Sequence, residues 1–379
     1  MGQIQKNFKI PTNSEWTHYK YKDFTSTGLS GFIFDAVLSP DISVLYTTDA
    51  SSNLTQILTS KNTLQKNYPK IHLGRTSCQH ITANNKYLFT ADDFGHLKQF
   101  SIKYKKLAHD YGKIFKNKIT NITTSPDSKY LFVIATKSKL KQFSIPHNSL
   151  FRYYGKVHGS SLKAFCCSLD SQNFFTSDCD GFLKQFGING NLVKDYGKVG
   201  DLGINAMVCD FGGNWLYLGD RGGNLKQFDI RGQCLVRDYG GVWGGWEIDF
   251  LVSGGDGRFL FLGNREGWLM QLSLRVEGEG GRGEGRGGVV GEGEGMAQTL
   301  RDRFGLSGGE TSGMYKKRDF GQVATACVKS LMLYGDYLVM LSVDSEQSLK
   351  QFSVFWNFDD NDVWEFANIM NYNLANDPS

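Results

Sequence analysis

Short apolar and aromatic runs of 4–6 residues, broken by Gly, Asn, Asp and Ser, recur along most of the chain. Runs of that length between turn formers predict β-strands rather than helices. One stretch displays the unit. Phe165-Cys-Cys-Ser-Leu169 is followed by a polar turn at 170–173 and then by Phe174-Phe-Thr-Ser177. Asp178-Cys-Asp-Gly181 leads into a third run at 183–188, and Asn189-Gly190 into a fourth at 192–196. Asn-Gly tolerates positive φ at both positions, which suits a tight hairpin.

This unit repeats. Leu-Lys-Gln-Phe begins at 97, 140, 183, 225 and 349, and two relaxed copies begin at 54 and 269. The intervals are 42–44 residues, except a last one of 80. Within that interval lies a Gly/Glu/Arg-rich segment at about 275–313, and removing about 37 of its residues restores the period. Gln is present in every copy: Gln56, Gln99, Gln142, Gln185, Gln227, Gln271 and Gln351. Four short strands in about 42 residues is the period of a β-propeller blade.

Two motifs carry a resemblance to a family. Ser125-Pro-Asp-Ser-Lys-Tyr-Leu131 resembles the turn between the first two strands of a WD repeat. Asp180-Gly-Phe-Leu-Lys-Gln-Phe186 resembles the Asp-Gly turn entering its third strand. The Leu-Lys-Gln-Phe type, with Asp-Tyr-Gly-Lys at 110–113 and 195–198, is similar to WD-repeat proteins common in ciliates, over residues 16–356. The family's Trp-Asp pair is replaced. Phe100, Phe143, Phe186, Phe228 and Phe352 stand at the Trp position and have no indole N–H to donate. The resemblance implies an all-β, seven-bladed β-propeller with four-stranded antiparallel blades.

Strand counting predicts how such a ring closes. Segments like Asp-Tyr-Gly-Lys follow the third strand of six units, at 67–70, 110–113, 153–156, 195–198, 238–241 and 318–321. None follows the seventh, but one lies within 16–24. The N-terminal strand is therefore expected to complete the last blade beside 349–354, leaving no open edge. The expected layout is a tail at 1–15, the propeller at 16–356 and an acidic tail at 357–379.

Composition adds limits. The net charge of +4 in 379 residues is mild, which argues against a nucleic-acid partner. Seven cysteines, an odd number without a CxxC pair, argue against a disulfide framework. The polar start, and the lack of any apolar run near the roughly 20 residues that span a bilayer, lead us to expect a cytoplasmic protein without membrane contact.

Candidate chemistry is sparse. The repeated Lys98, Lys141, Lys184, Lys226 and Lys350 read as packing residues whose ammonium pairs with Asp110, Asp195, Asp238 and Asp319. The repeated Gln is expected to bond backbone between blades. His18, His72, His80, His96, His109, His147 and His158 show no metal spacing, and no cysteine–histidine pair has zinc spacing. Asp178-Cys-Asp180-Gly181 reads as a turn rather than a calcium loop. No nucleophile, phosphate-loop or kinase motif occurs. One cluster departs from the repeat: Trp243-Gly-Gly-Trp246 and Trp268 in the sixth unit, with Arg221 and Arg265 at equivalent turns. Aromatics flanked by Arg are the composition of interface hot spots.

The expected function is a non-catalytic scaffold for a protein or peptide partner, monomeric, with no catalytic residue, cofactor or metal. A propeller hydrolase of lactonase type, with a central-channel site, and a degenerate paralogue without retained binding are the alternatives.

Overall fold

The computed structural model describes residues 19–23 and 33–355, except 62, 211, 255–258, 275–314, 323–326, 335–336 and 344–348. Among the described residues there are strands and turns but no α-helix. The N-terminal strand is β1 (Tyr19–Asp23). Sheet one holds β2 (Ile33–Leu38), β3 (Val44–Asp49), β4 (Leu54–Leu58) and β5 (Thr63–Tyr68). Sheet two holds β6 (Thr76–Ile81), β7 (Tyr87–Asp92), β8 (His96–Ser101) and β9 (Lys106–Lys113). Sheet three holds β10 (Ile119–Thr124), β11 (Tyr130–Ala135), β12 (Lys139–Ser144) and β13 (Ser149–Lys156). Sheet four holds β14 (Leu162–Cys167), β15 (Asn173–Asp178), β16 (Phe182–Gly187) and β17 (Leu192–Lys198). Sheet five holds β18 (Ile204–Cys209), β19 (Trp215–Asp220), β20 (Asn224–Asp229) and β21 (Cys234–Gly241). Sheet six holds β22 (Phe250–Ser253), β23 (Phe259–Gly263), β24 (Trp268–Leu274) and β25 (Tyr315–Gln322). Sheet seven joins β26 (Cys327–Tyr334), β27 (Tyr337–Val343) and β28 (Leu349–Phe355) to β1.

Each sheet is an antiparallel meander, in the order of its four strands along the chain except where β1 is added at the edge of β28. There the register pairs Tyr21 with Phe352 and Asp23 with Lys350. The sixth sheet brings Leu274 opposite Tyr315, so the Gly/Glu/Arg segment falls between its third and fourth strands. The tails at 1–15 and 357–379 and the segment at 275–313 lie outside the described residues.

The hydrophobic core is divided. Distinct buried clusters fill the spaces between sheets one and two, two and three, three and four, four and five, and five and six. The alternation of side chains along a strand explains how one strand serves two clusters. In β11, Leu131 and Val133 face sheet two, whereas Phe132 and Ile134 face sheet four. A strand covered on both sides must be apolar at successive positions, and Leu131-Phe-Val-Ile134 is. Among first strands, β6 lies beside β2 and β10, β18 beside β14 and β22, and β26 beside β22 and β2. Four-stranded sheets packed face to face in this way make a propeller-like repeat.

In sheets one to six the turn between the second and third strands lies at the same end as the exit of the fourth strand. Backbone hydrogen bonds tie each of these turns to the chain leaving the fourth strand of the same sheet. Ile114 donates to the Gly95 carbonyl (2.8 Å), Val157 to Ser138 (3.0 Å), Val199 to Gly181 (2.9 Å) and Val242 to Gly223 (3.0 Å).

Candidate functional site

The two repeated motifs meet across the third and fourth strands. In sheet four, Lys184 pairs with Asp195 and Leu183 with Gly197, so Tyr196 is the extra residue of a β-bulge. Gly197 sits at φ +68°, the left-handed region such bulges require. Asp195 accepts the Gly197 N–H at 2.9 Å and lies 3.4 Å from the Lys184 ammonium. The Tyr196 hydroxyl donates to Gln185 at 2.8 Å, and its ring meets Phe228 of sheet five edge-on at 5.5 Å. Sheet two repeats this with Lys98–Asp110, Tyr111–Gln99 and Tyr111–Phe143. Sheet five repeats the Lys226–Asp238 and Tyr239–Gln227 pairs.

The tyrosine hydroxyl satisfies the buried Gln of its own sheet, and its ring packs on the Phe of the next. Of the glutamines, Gln142 also makes the expected inter-sheet bond, donating to the Ile188 carbonyl at 2.9 Å. Its sheet lacks the aspartate, and Lys141 turns to the Ile114 carbonyl (2.6 Å) and the Phe115 ring instead. Three lysines thus have their expected carboxylates; Asp319 lies opposite Met270 in sheet six by backbone register.

The structure assembles a second constellation from residues that look scattered in the sequence. His158, three residues after the bulge glycine Gly155, lies 2.8 Å from the Thr176 hydroxyl and 3.6 Å from Asp178. His72 stands likewise to Thr90 (2.8 Å) and Asp92 (3.7 Å). Burial holds both imidazoles below their ordinary pKa, His72 at about 4, against the opposing pull of the aspartates. Asp178 also accepts backbone N–H groups of Asp180 and Phe182, closing the turn. A cavity of about 620 Å³ opens beside His158, Asp180, Phe182 and Lys184.

A hydroxyl, imidazole and carboxylate in line could suggest nucleophilic catalysis. Two observations make the line structural. Thr176 is completely buried, so nothing outside the sheet reaches its hydroxyl. In sheet three the whole set becomes Phe115, Val133 and Ala135, all buried in one apolar cluster. A set exchanged as a block between equivalent positions is an interchangeable packing solution. Among the described residues, no group of three or more His, Cys, Asp or Glu is placed to hold a metal ion, and no helix is long and apolar enough to cross a membrane.

The tryptophan sector is rearranged relative to expectation. Trp243 also falls three residues after a bulge glycine, Gly240, in the place of Phe115 and His158. It is 4% exposed and packs with Leu225, Ile248 and Leu262, so it is a core residue and not part of the surface. That constant offset was the signal for its burial. Trp246, 42% exposed, is carried outward by Gly244 and Gly245, both at positive φ, and stacks on Trp268 with ring centroids 5.3 Å apart. Arg221 pairs with Glu247 at 3.3 Å, and Arg265 with Asp249 at 3.5 Å. Burial raises the Asp249 pKa. Asn205 reaches Glu247 and Asp249, each at 3.4 Å, and joins the two pairs. Sequence reading missed Glu247, Asp249 and Asn205, although Asn205 and Asp249 stand 44 residues apart, about one repeat period.

Trp246, Trp268, Arg221 and Arg265 therefore form one surface at the turn end of sheets five and six. No protein-family model matches the chain, and no curated protein matches its sequence.

Proposed function

We propose that this protein is a seven-bladed WD-repeat-type propeller, closed by β1, that serves as a non-catalytic scaffold for a protein or peptide partner. The ring reading is supported by seven consecutive four-stranded sheets, by β26 beside β2, and by β1 on the outer edge of β28. The WD-type reading rests on the Ser-Pro-Asp and Asp-Gly turns and the repeat period. An odd set of cysteines fits a reducing compartment, and we place the protein in the cytoplasm as a monomer.

The observation that carries the binding role is exposed Trp246 resting on half-buried Trp268 between two arginine–carboxylate pairs. Such an aromatic pair offers a rigid apolar platform of low entropy cost, and arginine beside it is the usual hot-spot companion. Affinity purification from the native cell tests it, comparing the full chain with a Trp246→Ala/Arg221→Ala variant of unchanged thermal midpoint. The variant is expected to lose at least one partner. An identical partner set in both would remove this sector from the function.

A further inference from the structure

The whole-chain charge hides a strong segregation. Residues 61–163 hold 17 lysines and 2 arginines against 4 aspartates and no glutamate, a formal +15 in a chain of +4. The remainder is therefore −11. We infer that the turn end of sheets two and three is a docking surface for an anionic lipid bilayer. The inference is independent of the Trp246 sector.

Exposed lysines crowd this end. Lys113 and Lys156 end the outer strands of the two sheets, Lys116 lies in the connection between them, and Lys137 in the β11–β12 turn. Lys70 and Lys163 flank them on sheets one and four. Among the described residues five of these six have no carboxylate partner, Lys163 interacting with Asp249, while nearby acids are spent. Asp92 is completely buried, and Asp93 is held by Arg75 (3.1 Å) and Lys118 (2.9 Å). Lys139 stands directly opposite Lys156 across β12 and β13. Like charges facing one another on adjacent strands are destabilising. The equivalent pairs elsewhere are His96–Lys113, Phe182–Lys198 and Asn224–Gly241. An external polyanion relieves that repulsion.

Lipid fits the surface better than nucleic acid. The charge is almost all lysine, a point charge suited to headgroup phosphates, without the planar fork that reads bases. Both arginines are engaged, Arg75 with Asp93 and the Phe34 ring, Arg152 with the Asn189 carbonyl and the Tyr154 ring. The apolar groups at this end are Leu73, 92% exposed, and Phe94, 54% exposed with its ring lying on Gly74. The aliphatic tip of Leu73 among lysines can enter the interfacial layer of a bilayer, as can the Phe94 ring beside it.

The test is flotation of the full chain with phosphatidylcholine vesicles, with and without about 30% phosphatidylserine, at about 50 mM and 500 mM salt. Binding is expected only to the anionic vesicles, falling at least about tenfold at high salt. Lys113→Glu/Lys116→Glu/Lys137→Glu should abolish it. Lys86→Glu/Lys103→Glu/Lys106→Glu, at the opposite end of sheet two and of equal charge change, should leave it within about twofold. Leu73→Ser should weaken it about threefold without altering the salt response. Failure to bind anionic vesicles at low salt overturns the proposal, as does equal loss from both triple variants. Preferential capture of a single-stranded polynucleotide over the vesicles would assign the surface to nucleic acid instead.

Discussion

At the scale of single residues, two sets of glycines with the same backbone sign do different work. Gly197 has φ +68° and open space where a Cβ would stand. Its requirement is conformational only. Gly181 has φ +87°, and a Cβ there would run into the carbonyl oxygen of Gly200. Gly95 meets Phe115 in the same way. These contacts are where each turn receives the incoming connection to the next sheet. Gly197→Ala should therefore cost about 1 kcal/mol, the penalty of a left-handed alanine. Gly181→Ala should cost about 3 kcal/mol, because backbone must also move. Urea unfolding midpoints of the two variants measure the difference, and equal costs would show that the turn does not clamp its neighbour.

At the scale of the element, each sheet chooses either a polar or an apolar filling for the same space. Sheets two and four use His, Thr and Asp; sheet three uses Phe, Val and Ala; sheet six sets Trp243 against Leu262 with Asn264 closing the turn. The polar filling makes stability depend on pH. A folded-state imidazole held near 4 stays neutral, while the unfolded chain takes up a proton near the ordinary 6.5. The unfolded state then binds more protons, so stability is full above about pH 6.5 and declines as pH falls toward 4. The slope is roughly 1 kcal/mol per pH unit for each such histidine. Burial depresses His80 similarly, so the effect has several contributors. His158→Phe/Thr176→Val/Asp178→Asn combines the fillings of sheets three and six. Thermal midpoints at pH 7 and pH 5 should converge relative to the parent; an undiminished gap would detach His158 from acid sensitivity.

At the scale of the whole molecule, cohesion comes from contacts between successive sheets, so any open edge is felt throughout. Chain continuity supplies every such contact except the one between the last sheet and the first. Deleting residues 1–25 removes β1 and exposes the hydrogen-bonding edge of β28. The truncated chain should melt about 5 °C or more lower and self-associate. A synthetic peptide of residues 16–25 should restore the midpoint by strand addition. A monomeric truncation with an unchanged midpoint would show that β1 does not brace the last sheet.

What the sequence determined by itself follows from local rules. Strand, turn and repeat periods depend on neighbouring residues, so Leu-Lys-Gln-Phe and Asp-Tyr-Gly-Lys were enough to place the four-strand units, the position of the insertion and the pairing of β1 with β28. The pairing of Lys184 with Asp195 was legible for the same reason, since both recur at fixed places in one hairpin. Trp243 was misplaced because it was compared with Trp246, the tryptophan nearest in sequence, instead of with Phe115 and His158, one repeat period apart. Tertiary structure alone decided the rest. Thr176 and His158 meet only because the connection leaving sheet three packs on the second strand of sheet four. Asn205, Glu247 and Asp249 meet only because sheets five and six are adjacent. Lys113, Lys116, Lys137 and Lys156 become a surface only once strands of opposite direction bring alternate turns to one end. Which of these segments touch depends on how the sheets pack, and packing is what creates the contacts.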